Sequence, residues 1–199
     1  MKSLNRPDLY CWSSFDSERN IDFNSVAWIR PDGNVLIDPL PLSEHDWNHL
    51  QSLGGAAWIV VTNSDHLRAA PAIAQLTGAR IAGPAAEKDT FPIQCDRWLS
   101  DGEELIPGLK VLEMKGSKTP GELALLLEET TLITGDLVRA PQAGSLTLLP
   151  DAKLRNRAEV LISVRRLAQI SGINAVLIGD GWSVFRNGSQ LLKELAASL

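Results

Sequence analysis

The chain has 199 residues, of which 44% are hydrophobic and 22% charged, and its formal net charge is −5. That balance suits an ordinary globular domain and excludes disorder, collagen and a coiled coil. A mildly acidic chain has no general electrostatic pull on nucleic acid or anionic lipid, so neither is an expected partner.

The first legible elements are strands at Val26–Ile29 and Val35–Ile37, joined through Asp32 and Gly33 in the pattern of a hairpin. Ser43 can cap a helix running to about Leu53, with Glu44 and Asp46 in its first turn and Gly54 and Gly55 ending it. Ala56–Val61 is apolar without alternation, as in a strand covered on both faces, and it runs into the polar cluster Thr62–His66. A helix over about Leu67–Thr77 is expected next, with Pro71 in its first turn. Strands at Arg80–Ala82, Leu109–Met114, Glu122–Leu127 and Thr131–Thr134 follow. The spacing of Leu154, Ala158, Leu161, Val164 and Ala168 predicts a helix from about Leu154 to Ser171, with Arg155, Arg157, Arg165 and Arg166 solvated. Asn174–Ile178 is another continuous apolar strand, and Ser189–Leu199 a final amphipathic helix. No repeat or linker divides the chain, so a single α/β domain over residues 1–199 with a mixed sheet is expected.

The longest apolar runs fall far short of the ~20 residues of a membrane helix. Met1–Trp12 lacks the apolar stretch of a secretory signal, and a cytoplasmic protein without a membrane partner is expected. Cys11 and Cys95 form no CxxC or Cys/His ligand spacing and read as buried or incidental thiols. Trp28 and Trp58 fall in strands and are expected in the core.

Three apolar strands each end in a small polar cluster: Thr62–His66, Thr134-Gly135-Asp136 and Gly179-Asp180-Gly181. A fourth cluster, Gly116–Gly121, lies in a turn between two strands. Polar groups beyond the carboxyl ends of buried strands are where α/β proteins place their sites, and glycine beside a carboxylate allows close approach. Taken singly, each cluster is ordinary turn chemistry.

Together, and in this order, the segments resemble the metallo-β-lactamase superfamily of hydrolases over roughly Asp22 to Leu195. Leu36–Pro39 resembles that family's early strand ending in Asp, and Ile59–Thr62 with Asn63–Arg68 sits where the family has a strand, a Thr and the metal motif HxHxDH. Gly116–Gly121 resembles its GHTPG turn, Leu132–Leu137 its GD strand, and Val176–Gly181 its terminal GHG. The resemblance implies an αββα sandwich with mixed sheets. The metal ligands do not carry over. Laid on Thr62 without a gap, the leading histidines fall on Asn63 and Asp65, the Asp on Leu67 and the next His on Arg68. The remaining histidines fall on Lys118 and Asp180, and only the bridging Asp survives, as Asp136. Leu, protonated Arg and protonated Lys are no zinc ligands.

Arg68 and Lys118 supply two positive charges against the three of Asp65, Asp136 and Asp180, so an ion-pair network is expected where the family holds metal. The first expectation for function is therefore a metal-free polar pocket, lined by Asn63, Asp65, His66, Arg68, Lys118, Asp136 and Asp180, that binds a small polar or anionic ligand. No cofactor is expected on this reading. Sliding the motif by two residues gives a second: one divalent metal on Asp65, His66, Asp136 and Asp180, and a hydrolase of ester, thioester, lactone or phosphoester bonds. A structural or partner-binding module is the third. His45 and His49 stand one helical turn apart around Asp46, but a capped surface helix explains them and no third ligand is evident. No GxxxxGK[ST], GxGxxG or GxSxG pattern occurs.

Overall fold

Successive side chains of a strand point to opposite faces, and in the strand at Trp58–Val60 (β5) the two faces meet different layers. The computed structural model, which describes residues 1–199, sends Trp58 and Val60 into one apolar cluster and Ile59 and Val61 into another. β5 is an inner strand of a seven-stranded sheet that also holds β1 (Lys2–Ser3), β2 (Leu9–Asp16), β3 (Ile21–Trp28), β4 (Val35–Ile37), β6 (Arg80–Pro84) and β7 (Arg97–Leu99). Pairing is antiparallel from β1 to β4 and parallel from β4 to β7.

The second sheet holds β8 (Glu104–Ile106), β9 (Leu109–Met114), β10 (Glu122–Leu127), β11 (Thr131–Thr134) and β14 (Ala175–Ile178), while β12 (Val138–Arg139) and β13 (Thr147–Leu148) form a small ribbon. β14 runs parallel to β11, and the others in the second sheet are antiparallel.

The two sheets face each other through one cluster, with Val26, Ile37 and Val60 from the first and Val111, Leu125 and Leu177 from the second. Helices α1 (Glu44–Ser52) and α2 (Ala70–Thr77) cover the outer face of the first sheet through Leu50 and Ile73, packed on Leu36 and Ile59. Helices α3 (Arg157–Ala168) and α4 (Gly188–Ala197) cover the second through Val164, Leu167 and Leu192, packed on Leu126 and Val176. The result is the expected αββα arrangement with mixed sheets. Trp28 and Trp58 are buried as expected.

Local chemistry sets the helix ends. The Ser43 side chain accepts from the Asp46 amide at the start of α1, and Gly78 ends α2 at φ 74°. The latter helix starts three residues later than the pattern suggests, because Ser64–His66 forms a separate 3-10 turn. The stripe expected on α3 is displaced: Ala158 is exposed and Leu161 half-buried, while Val160, Val164 and Leu167 are buried. Arg166 is half-buried, bonded to Asp101 at 2.7 Å. Neither His45, which is exposed, nor His49, whose ring stacks edge-on against Tyr10 at 5.4 Å, sits in a ligand cluster. Cys95 is buried, and burial pushes its thiol up to about 11.

The carboxyl ends of β4, β5, β11 and β14 gather at one rim, where the sheets are stitched together. The Leu123 amide donates to the Thr62 carbonyl at 2.8 Å, and the Asn24 amide to the Gly179 carbonyl at 2.8 Å. Gly181 shows why glycine stands there: at φ +113° an added Cβ would lie 2.2 Å from the Ala140 carbonyl oxygen. Backbone on both sides leaves nothing to yield, so Gly181→Ala is expected to destabilise the fold by about 2 kcal/mol. Thermal denaturation checks this, and an unchanged midpoint would contradict the crowding.

Candidate functional site

The site grows from Asp38, the residue at which β4 ends. Its backbone is left-handed, at φ 47°, and its carboxylate turns inward at 2% exposure. The Thr62 amide donates to Oδ1 at 2.7 Å, and the Thr62 hydroxyl to Oδ2 at 2.6 Å. His66 Nδ1 lies 2.8 Å from Oδ2. This fixes the ring so that Nε2 looks across the rim at Asp136 Oδ2 (3.7 Å) and Asp180 Oδ1 (3.8 Å). Gly179 permits the approach, since a Cβ there would come within 3.0 Å of His66 Cε1.

Fixed cations surround the carboxylates. The Arg68 guanidinium donates to the Asn24 carbonyl at 2.6 Å and the Asp38 carbonyl at 3.0 Å, and its Nη2 reaches within 3.5 Å of Asp180 Oδ1. Arg139, from β12, bonds Asp180 Oδ2 at 2.8 Å. Lys118, from the β9–β10 turn, pairs with Asp65 at 2.6 Å and stands 3.6 Å from Asp136 Oδ2. His66, Arg68, Lys118 and Arg139 thus face Asp38, Asp65, Asp136 and Asp180, four basic groups against four carboxylates.

The protonation states follow from that arrangement. Burial by itself would lower the His66 pKa, but the charge and hydrogen bond of Asp38, helped by Asp136, raise it and favour the imidazolium. Asp38 is the other half: burial works against its charge, yet His66, Arg68 and Thr62 hold it below the usual carboxylate range. Lys118 is opposed by burial but raised by its bond to Asp65 and the charge of Asp136, so it stays protonated. Burial and Asp136 lift Asp180 despite His66, Arg139 and Arg68. Behind the rim, burial and the charge of Asp136 push Glu122 up to about 8.

All seven residues singled out in the sequence fall at this rim, in different roles. Only Lys118, Asp136 and Asp180 of the seven line the cavity of about 450 Å³; Asn63, Asp65, His66 and Arg68, expected in its wall, stand outside its lining. His66 and Arg68 hold the carboxylates as described. Asn63 is buried, and its Oδ1 accepts from the Asp65 and His66 amides, so it shapes the 3-10 turn. That turn aims His66 inward and leaves Asp65 half-exposed on Lys118, which corrects the expectation of Asp65 as a ligand beside His66. Sequence reasoning missed Arg139, Glu122 and the cavity's Arg19 and Lys153, and recognised Asp38 only as a strand end. The missed carboxylate Glu87 is also buried and accepts from the Ser64 and Gly121 amides, tying two rim loops together.

The donor set does not suit two zinc ions: Arg68 and Lys118 project guanidinium and ammonium groups toward Asp180 and Asp136 respectively, where additional imidazole donors would be needed. One group does carry metal-ligand chemistry. His66 Nε2 and one oxygen each of Asp136 and Asp180 lie within 4.8 Å of one another, and Asp136 Oδ2 and Asp180 Oδ1 are buried without a hydrogen-bond partner.

The fold and the order of the rim segments agree with what comparison with known proteins finds. The metallo-beta-lactamase superfamily profile matches residues 1–199, and the chain belongs to that superfamily. Its structure is similar to the metallo-beta-lactamase from Pontibacter korlensis, with a TM-score of 0.76 and 19% identity over 99% of this chain and 98% of that one. The DIM-1 metallo-beta-lactamase gives 0.75 and 16%, covering 99% and 96%. FIM-1 from Pseudomonas aeruginosa, solved in a mono-zinc form, gives 0.72 and 15%, covering 96% and 90%. No curated protein sequence matches the chain. No helix is long and apolar enough to cross a membrane.

Proposed function

We propose that the rim cavity binds a small anionic molecule, with the ion-pair network standing in place of the superfamily's dinuclear metal centre. The observation that carries this reading is the charge of the lining: Arg19, Lys118, Arg139 and Lys153 against Asp136 and Asp180. At about 450 Å³ the cavity falls in the range of small-ligand sites. Clustered cations within low-dielectric walls concentrate potential on an incoming anion, and Arg139, anchored on Asp180 through Nη2, keeps guanidinium N–H groups for a carboxylate or phosphate oxygen. Leu148, Leu149 and Pro150 supply an apolar wall.

Calorimetric titration with small phosphate and carboxylate esters tests the reading. Saturable binding is expected, weakened a few-fold in Lys153→Ala, since a solvent-exposed charge contact contributes about 0.2 to 1 kcal/mol. The absence of saturable binding for every anion would leave the cluster as a structural module.

A second reading rests on the unpartnered Asp136 Oδ2 and Asp180 Oδ1 facing His66 Nε2. These three groups would hold a single divalent ion, which supplies an activated water for hydrolysis. Such binding requires His66 neutral at Nε2, against the pull of Asp38. Elemental analysis after loading with zinc or manganese and buffer exchange separates the readings. No retained metal is expected, and one equivalent that disappears in Asp180→Asn would establish the hydrolase.

A further inference from the structure

We propose that the anion bound in this cavity is a hydroxylated one, a phosphorylated or carboxylated polyol, with its hydroxyl groups seated on Asp136 and Asp180 and its charged group on Arg139. The inference rests on the anion-binding reading above and adds the chemical class.

The argument comes from which polar atoms lack partners. Three buried atoms of cavity-lining residues make no hydrogen bond: Asp136 Oδ2, Asp180 Oδ1 and Arg139 Nε. The Asp136 and Asp180 side chains are only 6% and 5% exposed. An unmatched buried acceptor is costly, so such atoms mark where a ligand contributes most.

What the two carboxylates lack is donors. Their charge is already opposed by Lys118 Nζ at 3.6 Å, Arg68 Nη2 at 3.5 Å and His66 Nε2 at 3.7 and 3.8 Å. Those separations preserve Coulombic attraction but are too long for good hydrogen bonds. A further cation at that spot would meet three positive groups, whereas a neutral O–H satisfies the oxygens without adding charge. Two acceptor oxygens converging on one spot suit a pair of neighbouring hydroxyls or one hydroxyl shared between them.

Arg139 lacks the opposite. Its Nη2 is engaged by Asp180 at 2.8 Å while its Nε is unpaired, so the ligand must also present an acceptor. Lys153 and Arg19 are exposed members of the same lining, which places the anionic end outward and the hydroxyl end inward. All three atoms are closed to solvent in this structure, so the ligand enters as the rim side chains part; one molecule carrying both functions then meets all three, and a simple anion meets only one.

The test compares two probes of similar size and equal charge, glycerol phosphate and propyl phosphate, by calorimetry on the unmodified protein. Glycerol phosphate is expected to bind about tenfold tighter or better, one good hydrogen-bonded contact converted to affinity. In Asp136→Asn the ratio between the probes is expected to shrink several-fold, and in Lys153→Ala both are expected to weaken with the ratio kept. Equal affinities in the unmodified protein would overturn the polyol assignment while leaving an anion site. If neither probe nor any other anion binds, the underlying reading fails instead. A hydroxyl preference that survives Asp136→Asn undiminished would place the hydroxyls elsewhere and overturn the seating. The probe comparison needs no variant, so poor folding of Asp136→Asn does not remove the test.

Discussion

Replacing Asp38 by Asn is expected to lower the stability of the protein by about 3 kcal/mol, the cost of breaking a buried pair by removing one partner. At this chain length that corresponds to a fall of roughly 10 °C in thermal midpoint. Asn has the same shape and tolerates the left-handed backbone at φ 47°, so the change isolates the charge. Three interactions depend on it: the Thr62 amide, the Thr62 hydroxyl and the His66 ring. The Asn amide can accept from Thr62 with its oxygen, but its nitrogen then faces the hydroxyl and ring that formerly donated. His66 and Arg68, also buried, are left with less compensating charge. The His66 pKa is expected to fall in the variant, because Asp38 is the principal group raising it, and NMR titration of the ring would read this directly. A midpoint within a degree of the parent, or an unmoved His66 titration, would show that Asp38 does not organise the rim.

Asp38 also illustrates how far the sequence could be read. Its place at the end of an apolar strand is a local pattern and was legible, whereas its partner His66 stands 28 residues away across a parallel pairing. Elements governed by local chemistry are recovered closely. The strands Leu109–Met114, Glu122–Leu127 and Thr131–Thr134 have the expected bounds, and Ser43 caps α1 as its sequence suggests. Long-range packing decides the rest. The strand β2 carries exposed Ser13, Ser14 and Phe15, and its alternation is lost where it extends beyond the covered sheet. The apolar spacing that suggests a stripe on α3 begins at Leu154, which lies outside the helix after a 3-10 turn, so the phase it implies falls on Ala158.

At the site, charge counting points to cations beside the carboxylates, as Arg68 and Lys118 stand, but leaves the set incomplete. Arg139 joins Asp180 from 41 residues away, and nothing in its sequence surroundings marks it as a site residue. The choice between Asp65 and His66 as the inward group was likewise not local. It is made by a turn that Asn63 caps and Glu87, from another loop, holds in place.

Glu122 yields the prediction with the widest pH span. Its carboxyl group is fully buried at 1% exposure, with Oε1 accepting from the Leu137 amide at 2.8 Å and Oε2 bonded to the Ser117 hydroxyl. Burial and the neighbouring charge of Asp136 push it from an ordinary 4.5 to about 8. Below 4.5 the group is protonated in both folded and unfolded chains and its contribution is fully present. Between 4.5 and 8 the unfolded chain releases the proton while the folded one keeps it, so stability falls by up to about 1.4 kcal/mol per pH unit. Above 8 the loss is complete, on the order of 5 kcal/mol. Gln keeps the carbonyl that accepts from Leu137 and offers an N–H to Ser117, with no charge to bury. Glu122→Gln is therefore expected to match the parent near pH 4 and to exceed it by several kcal/mol near pH 8. Urea unfolding of both proteins across that range measures the difference, in which contributions common to both, including those of His66 and Asp38, cancel. Parallel stability profiles would mean that Glu122 is ionised in the folded protein, compensated by cations of the rim instead of being held neutral behind it.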